Sequence, residues 1–173
     1  MNKSTLPEDV GLTLPMLQKE LKYESETGAF VWLTSGRGRF KRAGAEAGTI
    51  NRWGYRAICF GGKCLMAHRL AWLYVYGEWP KNEIDHINGD KTDNRIENLR
   101  DVTRAINAQN IRAARIDSAS KVLGVSWNKE RHKWIASIVT NGKQSYLGAF
   151  DAIEDARGAY LAAKRASHAG CTI

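Results

Sequence analysis

A polar connector near residues 112–121 divides the chain into two segments whose hydrophobic patterns differ. The segment after it contains three short strand-like runs, Val122–Trp127, Lys133–Val139 and Gln144–Leu147, and then a helical period over Ala152–Ser167. A chain of 173 residues is long enough for two small domains. We therefore predict an α+β protein with a first domain at 1–111, a linker at 112–120 and a second domain at 121–173.

Turn and helix-end residues predict the individual elements. Asn141-Gly142 indicates a hairpin between the last two strands, and Asp151 or a near neighbour is expected to cap the final helix. In the first domain we predict a helix at Leu12–Tyr23, strands at Ala29–Leu33, Gly54–Phe60 and Lys63–Leu65, and a helix at Met66–Tyr76 that ends at Gly77.

The net charge of +8 is unevenly distributed. Residues 111–173 contain ten Lys/Arg and five Asp/Glu, whereas residues 61–110 contain seven of each. Basic flanks around a neutral middle favour a polyanionic partner, and nucleic acid is the commonest one. The basic segment Ser35–Gly48 is then either a solvated loop or an arm that contacts phosphate.

The three cysteines, Cys59, Cys64 and Cys171, form no CxxC pair, which argues against a structural zinc ribbon. An odd number of cysteines without a signal peptide favours a reducing cytosol. No apolar run is long enough to span a membrane. We therefore expect a cytoplasmic protein, in a phage-infected or bacterial host cell, with no membrane partner.

The segment Glu83–Asn110 has the residues that phosphodiester hydrolysis requires. The reaction needs a base that takes a proton from water and a cation that neutralises charge on the phosphate. A neutral histidine is a suitable base near pH 7, and His86 follows Asp85 directly. Asn107, in a predicted helix at Asp101–Asn110, could add an amide oxygen. One carboxylate and one amide leave coordination positions for water and phosphate oxygens.

The stretch DHINGDKTDNRIENLRDVTRAINAQN, with the upstream AHRLAWLYVYG at 67–77, resembles the His-Asn-His (HNH) motif of phage-type homing endonucleases. The resemblance implies a ββα-metal fold at about 66–110. It also implies His86 as general base, Asp85 and Asn107 as metal ligands, and Asn98 as a brace of the loop between them. Many relatives have His at the third position. Asn107 therefore favours Mg²⁺, with Mn²⁺ as an alternative and zinc disfavoured.

The stretch from Gly124 to Arg165, GVSWNKERHKWIASIVTNGKQSYLGAFDAIEDARGAYLAAKR, resembles the Apetala-2/ethylene-response-factor DNA-binding domain. That domain is a three-stranded sheet backed by one helix, and its sheet enters the major groove. Leu123, Ser126 and Val139 stand where several plant members have base-reading arginines, so the plant target sequence does not carry over. The resemblance predicts these DNA contacts: Ser126, Asn128, Arg131, Lys133, Ser137, Lys143, Gln144 and Tyr146. Arg69, Arg95 and Arg100 of the first domain are candidate phosphate contacts.

These patterns predict a metal-dependent endonuclease acting on double-stranded DNA. One chain has one active site, so a monomer would nick one strand, and a homodimer or a second binding event would be needed to break both. The alternatives are a non-catalytic DNA-binding regulator with a relict nuclease fold, and a nuclease acting on RNA or branched DNA. Retention of the four motif residues argues against a relict. His68 either approaches the active site or is a helix residue bonded to a backbone carbonyl.

Overall fold

The computed structural model describes residues 11–36, 41–60 and 62–173, with Phe60 described by its backbone alone. Contacts between Cα atoms divide the chain into a first unit ending at Thr103 and a second unit, Arg104–Ile173. Residues 104–111 are thus grouped with the second unit, whereas the sequence analysis assigned them to the first domain. The predicted linker at 112–120 stays a prediction.

The first unit is built from short antiparallel strands and two helices. Its elements are α1 (Leu14–Glu20), β1 (Leu21–Glu24), β2 (Ala29–Trp32), β3 (Thr49–Ile50), β4 (Arg56–Phe60), β5 (Lys63–Met66), α2 (Ala67–Tyr76), β6 (Glu83–His86), a 3₁₀ turn (Ile96–Asn98) and β7 (Leu99–Val102). The strands pair as β1–β2, β3–β4–β5 and β6–β7.

One hydrophobic core joins these elements. Leu17 of α1, Phe30 of β2 and Leu70 of α2 are fully buried in it. Ile84 of β6 and Leu99 of β7 pack into the same cluster. The β6–β7 hairpin is therefore anchored to the core by its apolar residues. α2 ends at Gly77, whose φ of 77° is left-handed, as the sequence predicted.

Two predicted helices are shorter than expected. The predicted helix at Leu12–Tyr23 ends at Glu20, because Leu21 is already extended and β1 pairs with β2. The predicted helix at Asp101–Asn110 is wrong at its start, where the chain is still in β7. Its helical part, α3, is Arg104–Gln109 in the second unit. In both cases strand pairing overrides a local helical pattern.

The predicted basic segment Ser35–Gly48 lies partly outside the described residues, since 37–40 are not described. At its described end, the ammonium of Lys41 donates to Glu20 Oε2 at 2.6 Å and lies 5.0 Å from the Trp32 ring centroid. Lys41 thus anchors this end of the segment to the first unit.

The second unit contains α3, the strands β8 (Val125–Asn128), β9 (Lys133–Thr140) and β10 (Lys143–Phe150), and α4 (Ile153–Ser167). The strands form an antiparallel sheet in the order β10-β9-β8. Asn141 and Gly142 have φ angles of 52° and 76°, typical of the predicted two-residue hairpin. Ala136 of β9 and Ala156 of α4 are fully buried in a shared core. The predicted α+β class, with a three-stranded sheet packed on one helix, is confirmed.

The last helix begins just after Asp151, at a position covered by the prediction, but no side chain caps it. The N-cap of α4 is Ala152, which makes no side-chain cap hydrogen bond, and the Asp151 carboxylate instead pairs with the ammonium of Lys133. Glu154 and Asp155 in the first turn place negative charge near the helix N-terminus. This charge stabilises the helix, which has no side-chain cap.

Cys59 and Cys64, which are opposite each other in the β4–β5 hairpin, form a disulfide, and Cys171 is free. Within the described ranges, no helix is both long and apolar enough to cross a membrane.

Candidate active site

Strands β6 and β7 place Asp85 and His86 next to each other at the core of the first unit. Asp85 pairs across the hairpin with Arg100, and His86 pairs with Leu99. The relative exposures of Asp85 and His86 are only 5% and 4%. Asp85 Oδ2 accepts hydrogen bonds from Arg100 Nε at 2.8 Å and Nη2 at 2.7 Å. The buried carboxylate therefore has a cation as its partner.

Asn94 holds the His86 ring. His86 Nε2 lies 3.2 Å from Asn94 Oδ1, and Asn94 Nδ2 donates to the Thr92 carbonyl at 3.1 Å. Because the amide nitrogen is directed to Thr92, the oxygen faces His86, and Nε2 is the protonated nitrogen. The neutral ring then has its lone pair on Nδ1. Burial lowers the pKa of His86, while the Asn94 contact and nearby Asp85 act in the opposite direction.

Two further rings enclose His86. The ring centroids of His68 and Tyr55 lie 5.2 Å and 5.9 Å from that of His86, and the two rings are 5.3 Å apart. Burial, with repulsion from His86 and Arg69, lowers the pKa of His68 to about 3. His68 therefore approaches the site, as one of its two sequence interpretations predicted. Its buried Nδ1 makes no hydrogen bond to the part of the chain that the structure describes.

Asn98 closes the loop that follows His86. Its Oδ1 accepts from the Asn88 amide at 2.9 Å, and its Nδ2 donates to the Asp93 carbonyl at 2.8 Å. Its backbone carbonyl also accepts from Ile87 N at 2.8 Å. Asn98 is buried, so these bonds are protected from water. This is the contact pattern that the resemblance implied for the middle Asn.

The β1–β2 hairpin supports Asn94 from the N-terminal side. Tyr23 Oη donates to the Asn94 carbonyl at 2.8 Å, and burial raises the pKa of Tyr23 to about 12. Gly28, with φ of 73°, lies so close that a Cβ there would be 2.3 Å from Arg95 N. Only glycine fits this approach. The first fifty residues thus help to position the residue that orients His86.

The three candidate phosphate-binding arginines of this unit differ in their surroundings. Arg69 donates to the Asn82 carbonyl at 3.3 Å and packs 5.9 Å from the Trp79 ring centroid. Arg95 pairs with Asp93 at 2.7 Å and Glu97 at 2.8 Å. Arg100 pairs with Asp85. All three therefore have protein partners, and their contacts with phosphate stay predictions.

The predicted DNA-contacting residues of the second unit mostly share one face of its sheet. Cross-strand partners lie on the same face, and the register pairs Ser137 with Tyr146, Val139 with Gln144, and Asn128 with Lys133. By strand alternation, these residues lie on the face opposite the buried Ala136 and Ile138, together with Ser126. Lys143 pairs with Thr140 and has the other parity. Arg131 is exposed in the β8–β9 turn.

The metal ligands predicted from the sequence lie in different units: Asp85 in the first and Asn107 in α3 of the second. Across the described residues no group of three or more His, Cys, Asp and Glu side chains could hold a metal ion. A cation at Asp85 would need amide, water or phosphate oxygens as further ligands. Oxygen donors of this kind suit Mg²⁺ or Mn²⁺ and disfavour zinc. The Arg100 guanidinium contacts Asp85 Oδ2, so a positive charge already lies beside this carboxylate.

Comparison with known proteins defines the class. Residues 65–109 match the family model described as HNH endonuclease. The chain belongs to this family. It is similar to Protein 3.8 of Escherichia phage T7, with 32% identity over 88 residues, which cover 50% of this chain and 72% of the phage protein. No solved structure matches the chain.

Sequence reasoning did not identify Asn94, Tyr55 or Tyr23 as parts of the site. Asn94 stood in the polar segment eight positions after His86, and its burial was the missing signal. Tyr55 and Tyr23 lie far from the motif in the chain, and no local pattern marks them.

Proposed function

We propose that this chain is a metal-dependent endonuclease that hydrolyses phosphodiester bonds of double-stranded DNA, with a homing-type action. His86 is the general base, Asp85 and Asn107 are the metal ligands, and Asn98 positions the loop. The observation that carries the proposal is the buried His86 ring, held by Asn94 beside Asp85, within the matched HNH segment.

The surroundings of His86 suit a general base. Its lowered pKa leaves the imidazole neutral near pH 7, and the Asn94 contact fixes the proton on Nε2. His86 Nδ1 takes the proton from a water as the water oxygen bonds to phosphorus. The bond from phosphorus to the 3′ oxygen then breaks, and the leaving oxygen takes a proton from a solvent water, which gives a 5′-phosphate and a 3′-hydroxyl.

A divalent metal, when bound, neutralises the charge that develops on the phosphate and on the leaving oxygen. Asp85 would hold it through a carboxylate oxygen and Asn107 through its amide oxygen. Arg100 has a second role here, because its guanidinium neutralises the buried Asp85 carboxylate. Mg²⁺ is the metal we propose, with Mn²⁺ as the alternative.

The second unit is proposed to bind the duplex in the manner of the Apetala-2/ethylene-response-factor domain. Its sheet face carries Ser126, Gln144 and Tyr146, which are exposed. A three-stranded sheet can enter the major groove. Without the arginines at 123, 126 and 139, this face would read few bases, and we propose a loosely specific nuclease.

Nicking of supercoiled plasmid tests the proposal. With Mg²⁺ we expect wild-type protein to convert plasmid to open circle, and His86→Ala or EDTA to abolish the conversion. Loss of a general base lowers rates by about 10²–10⁴-fold. His168→Ala, which removes a histidine of the second unit, is the matched control and should still nick. Linear product at the earliest times would indicate a homodimer that cuts both strands.

The alternative function is a DNA-binding regulator. Plasmid binding without cleavage, in Mg²⁺ and in Mn²⁺, would favour it and contradict the nuclease. Similarity to a phage protein supports a proposed site of action in the cytoplasm of an infected bacterial cell. Alkylation of Cys59 and Cys64 in infected cells would show whether they are reduced there.

A further inference from the structure

An exposed aromatic side chain stands beside the candidate active site. Trp53 keeps 50% of its surface exposed in the turn that joins β3 to β4. The Arg52 guanidinium lies over its indole, 4.1 Å from the ring centroid. Single exposed apolar side chains are common on protein surfaces. The evidence for a role of Trp53 is therefore the set of contacts that link it to the candidate active site.

The turn that carries Trp53 is rigid. Asn51 Oδ1 accepts hydrogen bonds from Trp53 N at 2.9 Å and Tyr55 N at 3.1 Å. Lys91, from the loop after His86, donates through Nζ to the Trp53 carbonyl at 3.0 Å. A side chain on a fixed backbone loses little conformational entropy when it meets a ligand.

The same contacts connect the turn to the general base. The Lys91 ammonium lies 4.8 Å from the Tyr55 ring centroid, and the Tyr55 ring packs against His86. Two residues of chain span at most about 7 Å, so Trp53 lies close to the His86 site. Arg52 and Lys91 make the surroundings of the indole basic. A duplex with its phosphate at His86 would therefore meet this turn.

We propose that Arg52 and Trp53 form a DNA-contacting tip beside the scissile phosphate. The indole enters between two base pairs of the duplex as an apolar wedge and stacks on the exposed base, and the Arg52 guanidinium contacts the adjacent phosphate. An indole offers the flat apolar surface that base stacking needs. This proposal rests on the proposed function, since it names the substrate contact of the same site.

Binding of a fluorescein-labelled 30-base-pair duplex to the full chain tests the tip. His86→Ala serves as the background, so that no cleavage intervenes. Trp53→Ala should weaken binding by about 5- to 150-fold, the range of one base–aromatic stack, whereas Trp53→Phe should retain most of the affinity. Tyr76→Ala is the matched control, because Tyr76 is an equally exposed aromatic at the far end of α2.

Salt dependence separates the two contacts. Loss of one phosphate contact lowers the slope of log K against log salt by about 0.9. Arg52→Ala should show that change, and Trp53→Ala should weaken binding with an unchanged slope.

The outcomes keep the two proposals apart. If wild-type protein nicks plasmid and Trp53→Ala binds duplex as tightly as its background, the tip is wrong and the nuclease stands. If Trp53→Ala weakens binding but wild-type protein never nicks, the nuclease fails, and the tip stands only as a DNA contact with no scissile phosphate beside it. If Trp53→Ala lowers only the melting temperature or dissociates a dimer in sedimentation, Trp53 is a protein contact and the tip is wrong.

Discussion

The β6–β7 hairpin with its loop and the three-stranded sheet of the second unit both present polar side chains, in opposite environments. In the hairpin and its loop Asp85, His86, Asn94 and Asn98 are buried, each below a tenth of its full exposure. On the sheet, Ser126, Gln144 and Tyr146 are exposed. Burial fixes the geometry of the first set through hydrogen bonds. Exposure leaves the second set free to meet a partner.

The family model covers residues 65–109 and ends before the sheet. A buried polar group needs its own partner, so few substitutions are tolerated around it. An exposed recognition face can change residue by residue without loss of the fold. Under the proposed function, the chemistry is thus tied to stability in the first unit, whereas recognition by the sheet of the second unit is separate from stability.

The ion pair at Asp85 gives the sharpest test of that contrast. Arg100→Ala leaves a buried carboxylate without its guanidinium and should lower the free energy of unfolding by about 2–4 kcal/mol. Mg²⁺ should raise the melting temperature of this variant more than that of wild-type protein, because the cation takes the position of the guanidinium. Urea unfolding with and without Mg²⁺ measures both effects.

Lys22→Ala is the control for this ion pair. Lys22 pairs with Glu24 at the surface of the same unit, where both side chains are largely exposed, so its loss should change stability far less. Equal destabilisation by the two variants would contradict the contrast between buried and exposed pairs. If Mg²⁺ raises the melting temperature of Arg100→Ala no more than that of wild-type protein, the result would contradict a cation site at Asp85.

The buried histidines predict how stability depends on pH. The pKa of His68 is about 3 in the folded chain and about 6.5 when unfolded. Between these values the unfolded chain binds a proton that the folded chain does not. Stability is thus highest above pH 6.5 and falls as pH drops toward 3, by up to about 1.4 kcal/mol per pH unit.

Urea unfolding at pH 7, 6 and 5 checks this dependence. In His68→Gln the free energy of unfolding should fall less steeply with decreasing pH, by the slope that corresponds to up to one bound proton. This holds whatever the effect of the variant on stability at pH 7. Parallel slopes for wild type and His68→Gln would show that His68 titrates alike in both states.

The sequence predicted the residues of the site whose signal is local. Asp85, His86 and Asn98 lie within one short motif, and Asn141-Gly142 marked the hairpin between β9 and β10. Asn94 was not singled out, because its place beside His86 depends on the tertiary fold, including Tyr23, 71 positions away. Tyr55 reaches His86 only through the tertiary fold.

The local hydrophobic pattern also failed to predict the element at residues 21–23, where it fits a helix and a strand equally well. Leu17 and Leu21 fit a helical face, yet Leu21 and Tyr23 fit a strand equally well. Pairing of Leu21 with Trp32 and of Tyr23 with Phe30 decides for the strand. No short segment of the sequence predicts the strand, because pairing with the partner strand β2 decides which element forms.

The smallest expected effect tests the sheet face of the second unit. Arg131 in the β8–β9 turn and Arg157 on α4 are both exposed. Substitution of either one by Ala removes one positive charge and should change the free energy of unfolding by less than about 0.5 kcal/mol. If the sheet meets DNA, Arg131→Ala alone should lower the salt slope of duplex binding, by about 0.9. Anisotropy titrations at several salt concentrations, in the His86→Ala background, measure it. Equal changes would mean that only net charge matters, and a larger change for Arg157→Ala would place the helix, instead of the sheet, against the duplex.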